Sequence, residues 1–275
     1  MTDYLKLAIR SVQYSLYSKD SIKVDWVRQN NFGDILNPVL IKLLTNKNPK
    51  HVVAKFYNNH TYYSVIGSIL GRAKENTIVW GSGYISSNDH VKGTPKKICA
   101  VRGPKTRELL LSQGIECPEI YGDPALLMPR LFNPSVPKKY KLGIVPHYVD
   151  KECDWIKKVD RTDVKTLDIH TSDPLDFIRQ MLECEKIASS SLHGLIIADA
   201  YKIPNAWIEF SNKVTGGGFK FLDYFDSISR NTKKSIYIDD SISIDDLETM
   251  CVNYEVKLDM QKLLDSAPFK IKNEI

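Results

Sequence analysis

No window of this sequence approaches the ~20 consecutive apolar residues that a helix needs to span a bilayer, and the N-terminus opens without a signal-like apolar run. Neither a membrane span nor a secretory leader is expected. Cysteine is scarce: Cys99, Cys117, Cys153, Cys184 and Cys251 are odd in number, far apart and without a CxxC pair. This pattern excludes a disulfide framework, speaks against a structural zinc site and any other metal centre, and points to a reducing cytoplasm. No GxGxxG fingerprint and no P-loop are present, which disfavours nicotinamide and ATP enzymes. No GxSxG elbow occurs, which argues against a serine hydrolase of the α/β type. Internal repeats and low-complexity tracts are missing as well. An excess of positive charge is small, +5 with the basic residues dispersed, so nucleic acid is not an expected partner while an anionic small molecule fits.

What is there is a globular composition, with 43% hydrophobic and 26% charged residues over 275 positions. That length lies near the size at which one core stops growing, so two domains are expected. The segment from Pro129 to Tyr140, with Pro134 and Pro137, reads as a linker that divides the chain into 1–133 and 138–275.

Along the chain, Leu5, Ile9, Val12 and Leu16 recur at helical spacing within Asp3–Tyr17. They suggest an amphipathic helix packed on the body of the protein, or lying on a membrane surface. Strands are expected at 22–27, 51–55, 62–66, 77–80 and 97–101, and beyond the linker at 141–145, 164–169, 186–188 and 206–210. Helices are expected at 153–159 and 174–183, with one long helix over 245–264 that closes the chain and packs back on the N-terminal domain. The run from Gly216 to Tyr224 reads as a flexible loop leading to aromatic anchors. Strands that alternate with helices imply parallel sheets with right-handed crossovers.

Chemistry-bearing residues gather at expected strand ends, where open α/β sheets bind ligands. After the first strand comes a polar turn into a helix, Asn30-Asn-Phe-Gly-Asp-Ile-Leu-Asn-Pro38, with Pro38 tolerated in a first turn. Gly33 permits close approach of the backbone, while Asn31, Asp34 and Asn37 offer polar side chains. Asp34 either caps this helix or presents its carboxylate to a substrate. Ser82, in the Gly81-Ser-Gly83 turn, and Arg102 stand at two further strand tips. In the second half, His147 follows a strand. Ile187-Ala-Ser-Ser-Ser-Leu-His-Gly194 reads as strand, turn and helix start, with Ser189, Ser190 or Ser191 as cap and His193 in the first turn. The amide hydrogens and positive dipole end of that turn make an anion site. A histidine, which titrates near neutrality, is a candidate proton donor or acceptor there.

Taken in order, Asn31-Phe-Gly-Asp34, Gly67-Ser68, Gly81-Ser-Gly83, Arg102-Gly-Pro104, Gly122-Asp-Pro124, Val145-Pro-His147, Ser190-Ser-Leu-His-Gly194 and Phe219-Lys-Phe-Leu-Asp-Tyr224 resemble the polysaccharide pyruvyl transferase family, in particular its exopolysaccharide branch, from about residue 22 to residue 225. The resemblance implies an α/β fold of two Rossmann-like domains whose parallel sheets face a cleft, as in the GT-B glycosyltransferases. The N-terminal domain would be on the acceptor side and the C-terminal domain on the donor side. It further implies phosphoenolpyruvate as co-substrate without another cofactor, and a glycan or lipid-linked saccharide as acceptor. Work at the inner face of the membrane, with peripheral contact through the acceptor, would follow.

Under this resemblance His193 and Asp34 are the expected catalytic acid and base. Arg102, His147, Ser190, Ser191, Gly194 and Lys220 are expected to bind the donor, and Asn31, Gly33, Asn37 and Ser82 the acceptor. One departure is plain: many relatives carry arginine directly before Leu-His, where this chain has Ser191. The donor's charge then falls to Arg102, His147, Lys220 and the helix N-terminus. A sugar-nucleotide glycosyltransferase and a non-catalytic subunit of a polysaccharide assembly complex are the competing expectations. The oligomeric state is left open.

Overall fold

The computed structural model describes residues 9, 12, 21–54 and 60–272. Of the helix expected over Asp3–Tyr17, Ile9 and Val12 fall among these, both helical and exposed. The remainder of that element lies outside the described residues.

Short β-branched and aromatic runs form ten strands among the described residues, in two wholly parallel sheets of five. The first contains β1 (Lys23–Asp25), β2 (Lys50–Val52), β3 (Tyr62–Ser64), β4 (Thr77–Trp80) and β5 (Lys97–Ala100), in the order β2-β1-β3-β4-β5. The second contains β6 (Tyr140–Val145), β7 (Val164–Thr166), β8 (Cys184–Ser189), β9 (Asn205–Glu209) and β10 (Ile236–Tyr237), in the order β10-β9-β8-β6-β7. Numbered within its own half, each sheet runs in the same order. The direction of winding reverses beside the first strand of each, so a crevice opens at the carboxyl ends between β1 and β3, and another between β6 and β8. The expected α/β architecture of two parallel sheets is thus the one observed.

Helices cover the sheets: α1 (Phe32–Thr45), α2 (Pro104–Ser112), α3 (Met128–Leu131), α4 (Asp154–Lys157), α5 (Pro174–Leu182), α6 (Leu192–Ala200), α7 (Phe219–Ser227), α8 (Ile244–Met250) and α9 (Met260–Asp265). Three local expectations need correction. Gly216–Tyr224 is not a loop throughout, because the chain turns into α7 at Phe219, whose Phe221, Tyr224 and Phe225 are buried. The long closing helix is two short ones. Between α8 and α9 the backbone of Val252 exchanges hydrogen bonds with Asn205 at the start of β9, which takes the chain out of the helical path. Pro38 lies in the second turn of α1, not the first, and cannot donate to the Asp34 carbonyl four residues back. The Asn37 side-chain amide takes over, donating to that carbonyl at 3.2 Å.

The two halves share one apolar core, in which Phe32, Leu36 and Leu40 of α1 join Phe177 of α5, Leu195 of α6 and Leu263 of α9. The rings of Phe32 and Phe177 are 4.6 Å apart. Backbone bonds stitch the same border: Phe32 N–H to Ile169 O at 2.9 Å, and Thr171 N–H to Asn30 O at 2.7 Å. The C-terminal segment returns to the first sheet. Trp80 donates from Nε1 to Leu263 O at 3.0 Å, Phe269 packs edge-on against Tyr63 and Trp80, and Lys272 N–H bonds Leu44 O.

One further tie is ionic. Arg102 and Asp223, both with fully buried side chains, pair at 2.9 Å across the border of the halves. Asp223 also accepts from the Thr106 amide at 2.8 Å and the Thr106 hydroxyl at 2.7 Å. A residue of α7 thereby caps the first turn of α2, whose own N-cap residue, Gly103, has no side chain to do so. Glycine is required at 103, since a Cβ there would stand 1.9 Å from Asp223 O. Breaking a buried pair by removing one partner costs about 3–5 kcal/mol. Asp223→Ala is expected to lose stability in that range by urea unfolding, with Arg102→Ala losing a similar amount and the double variant losing less than the sum.

Candidate active site

The crevice of the second sheet is built by the three serines after β8. They do not cap α6 with their side chains. Ser191 occupies the N-cap position without a side-chain bond. The Ser189 hydroxyl accepts from the Ser191 amide at 3.0 Å and lies in bonding range of the Val145 and Ser191 carbonyls. Ser190 Oγ accepts from the His147 amide at 2.7 Å. Their role is to lock the ends of β6 and β8 to each other. Gly194 belongs to the same packing, because a Cβ there would meet Ser189 Oγ at 2.3 Å. With the serines so used, the amides opening α6 keep the unfilled donors of a helix N-terminus.

His193, one residue into that helix, leaves its own half and lies on the first. A Cβ on Gly33 would stand 2.1 Å from His193 Nδ1, so only glycine at 33 admits the ring. At its other nitrogen, His193 Nε2 is 3.5 Å from Asp123 Oδ2. Asn31 orders this wall: its side chain accepts from the Gly33 amide at 3.2 Å and caps α1, which leaves the next residue, Asp34, half-buried in the first turn with its carboxylate uncommitted to capping. Burial pushes the Asp34 carboxyl up to about 6, against the opposing pull of His193 and Arg72. A carboxylate held near that value accepts protons more readily than an ordinary aspartate.

The cations expected to hold an anion divide sharply. Lys220 stands in the first turn of α7, nine-tenths buried, and among the described residues has neither hydrogen bond nor ion pair. Burial, reinforced by Arg102, lowers its ammonium to about 8. His147 is half-buried beside it. Burial first, then the charges of Lys220 and His170, lower its imidazole to about 4, so it is neutral at physiological pH. Arg102 has a different placement from the one expected of a donor ligand. Its Nε meets Asp223, Nη1 donates to Ser68 Oγ at 2.7 Å and Nη2 to Tyr84 O at 2.5 Å, with no exposure to solvent. Each of its three guanidinium nitrogens is thus bonded inside the protein.

Two expected acceptor contacts are likewise sealed. Asn37 is fully buried, bonded through its amide to Ile66 O and through Oδ1 to Ile66 N–H, which joins α1 to the end of β3. Ser82 is fully buried against Ser64, the two hydroxyls 2.9 Å apart. Asn31 and Gly33 remain at the border, beside His193. Among the described residues no group of three or more histidine, cysteine, aspartate or glutamate side chains is arranged to hold a metal ion.

Residues 31–212, which carry the first-half turn at Asn31, the His147 strand end and the whole of the β8–α6 motif, match the family model of polysaccharide pyruvyl transferase. The chain belongs to that family. An uncharacterised protein of Acanthamoeba polyphaga mimivirus is 32% identical over 205 residues, covering 72% of this chain and 71% of the relative. The succinoglycan biosynthesis protein ExoV of Rhizobium meliloti is 30% identical over 168 residues, covering 58% of this chain and 51% of the relative. Membership and geometry meet at His193, Gly33 and Asp34, all inside the matched span. Lys220 lies beyond it.

Two residues of consequence escaped the reading of the sequence, Asp123 and Asp223. Asp123 stood in a quoted Gly-Asp-Pro turn, and the signal that could have found it is an aspartate at a strand end with proline fixing the backbone after it. Asp223 stands in the Phe219-Lys-Phe-Leu-Asp-Tyr224 stretch, but nothing local points to its partners, which lie 117 and 121 residues away.

Gly33 has no unusual backbone angle, so alanine is tolerated by the helix itself. Gly33→Ala is expected to retain the wild-type melting temperature within a few degrees and to displace the His193 ring. A misplacement of about 1 Å can cost on the order of 100-fold in turnover, and steady-state kinetics beside a thermal melt would register both halves of this expectation.

Proposed function

We propose that the protein transfers the pyruvyl group of phosphoenolpyruvate to a pair of saccharide hydroxyls, closing a pyruvate ketal on a polysaccharide or lipid-linked oligosaccharide precursor. The observation that carries this reading is the position of His193. It projects from an anion-binding helix start in one half onto Gly33 in the other, next to Asp34, a carboxylate raised to about 6. In this reading acid, base and anion site lie together at the border of the halves, where His193 meets Gly33. Two halves of like strand order with the reactive groups between them are in keeping with a GT-B-like arrangement. The acceptor would be met from the first half at Asn31 and Gly33, and the donor from the second.

In this mechanism the phosphate and carboxylate of the donor are held by Lys220, by the neutral His147 through its ring N–H, and by the amides opening α6. Asp34 takes the proton of one sugar hydroxyl as that oxygen attacks C2, while His193 supplies a proton to the methylene carbon, which becomes a methyl group. The C2–O bond to phosphate then breaks, the second hydroxyl attacks C2, and its proton leaves with inorganic phosphate. Two hydroxyl protons are released, one matched by the new C–H bond and one by phosphate. No electrons change hands, so the chemistry calls for no redox cofactor. Arg102 acts here by holding α7, and with it Lys220, in place. A lipid-linked acceptor would bring the protein to the inner face of the membrane, and no helix among the described residues is long and apolar enough to cross one.

Phosphate release from phosphoenolpyruvate, screened against simple and lipid-linked glycosides, tests the reaction. His193→Ala is expected to lower turnover by about 100- to 10,000-fold, the range of a general acid–base group, with its circular dichroism unchanged. Near-normal turnover would remove His193 from the mechanism. Thermal stabilisation by nucleotide sugars and not by phosphoenolpyruvate would instead assign a glycosyltransferase, and the absence of phosphate release with every acceptor would assign a non-catalytic subunit.

The pH dependence has two expected limbs. Asp34 is the active base only when ionised, so turnover falls as pH drops through about 6. Lys220 attracts the donor only as ammonium, so calorimetric affinity for phosphoenolpyruvate weakens as pH rises through about 8. Hydrogen bonds to charged groups contribute about 1.5–3 kcal/mol, roughly 10- to 150-fold. Lys220→Met is expected to lose affinity in that range at pH 7 and to flatten the alkaline limb. An unaltered limb in that variant would take the donor away from Lys220.

A further inference from the structure

Asp123 is 1% exposed and fixed from both sides. Its Oδ1 accepts from the Ala125 amide at 2.9 Å, which caps the 3₁₀ turn Pro124–Leu127. Just before it, Gly122 N–H bonds Val101 O at 3.1 Å, so the turn is anchored to the end of the first sheet. The second oxygen, Oδ2, is buried without a hydrogen-bond partner, and so is His193 Nε2. These two orphaned atoms face each other at 3.5 Å, an acceptor opposite a ring nitrogen that can donate. Buried polar atoms without partners are rare in native proteins and call for a reason. Catalytic hydrogen bonds are often long before substrate binds and tighten in the loaded complex.

We infer that Asp123 is the positioning residue of His193: its Oδ2 accepts from Nε2–H, fixes that tautomer, and leaves Nδ1 as the atom that exchanges protons beside Gly33 and Asp34. The inference rests on the reading of His193 as the proton-transfer group. Nδ1 is the nitrogen turned to Gly33, where the polar first turn of α1 begins. Aspartate and histidine come from opposite halves, and the pair therefore exists only while the halves are docked. The other titratable groups that act on it are Asp34, from the first turn of α1, and Tyr224 of α7, which faces Asp123 electrostatically while its hydroxyl donates to Asp199 at 2.9 Å.

Nitrogen-15 NMR of the histidine side chains in the full-length protein, with the His193 signals assigned by their loss in His193→Gln, tests this without any substrate. In the unaltered protein His193 is expected to rest with its hydrogen on Nε2. In Asp123→Asn that preference is expected to weaken, because the carboxylate that accepts from Nε2–H is gone. Turnover is expected to fall by on the order of 100- to 10,000-fold, with the KM for phosphoenolpyruvate little changed. Hydrogen resting on Nδ1 in the unaltered protein overturns the inference whether or not the variant folds. So does a folded Asp123→Asn whose His193 hydrogen is divided between the two ring nitrogens as in the wild type. Failure of phosphoenolpyruvate to react in the unaltered protein, with the expected NMR signature present, would sink the pyruvyl reading and leave the pairing standing.

Discussion

The buried pair of Arg102 and Asp223 is the constraint on which the remaining geometry depends. Two charges withdrawn from water have to be matched to each other and to further donors, and here the matching groups come from both halves: Ser68 and Tyr84 around the guanidinium, the Thr106 amide and hydroxyl around the carboxylate. Such a cluster tolerates little sliding, since a small displacement leaves a charge unpaired in a dry place. It sits one turn from Lys220 on α7. The same contact that joins the halves therefore sets the depth at which an unpaired ammonium enters the site.

A second consequence concerns how this family member manages without arginine before Leu-His. Ser191 contributes backbone and no cation, and the neighbouring serine hydroxyls are occupied with strand ends. In the proposed mechanism positive charge is supplied from a separate helix by Lys220, whose lowered pKa would make it a titratable substitute for a permanent guanidinium. An anion bound here would relieve the cost of keeping that ammonium buried. In that mechanism binding and the ionisation of Lys220 would be coupled.

Much of the sheet architecture could be read from the chain because its signals are local. Val24, Val79 and Ile144 lie in short apolar runs bounded by turns, and the polar residues just after them mark the carboxyl ends at which both crevices open. His193 and Gly33 could be picked out for the same reason. What resisted reading was pairing at a distance. Arg102 at a strand tip looks like an anion ligand until Asp223 is found against it. Asn37 looks like a substrate contact until Pro38 is seen to free a carbonyl within its reach. The helical spacing in 245–264 is real over both α8 and α9, and is interrupted where Val252 pairs with Asn205 and the Lys257 amide bonds Ile228 O. In each case a tertiary partner reassigned a side chain whose sequence context was sound.

The return of residues 259–272 to the first sheet bears on how the molecule is made. Trp80 lies at the centre of the first half, yet its indole nitrogen finds an acceptor 183 residues later, and Leu44 likewise accepts from Lys272. During synthesis the first sheet can form its strands early, but the apolar side chains beneath α9 stay uncovered until that segment emerges. Contacts of such long separation are slow to form and leave unburied surface exposed to aggregation. The first half, although it is translated first, is thus completed only when the last residues of the chain arrive.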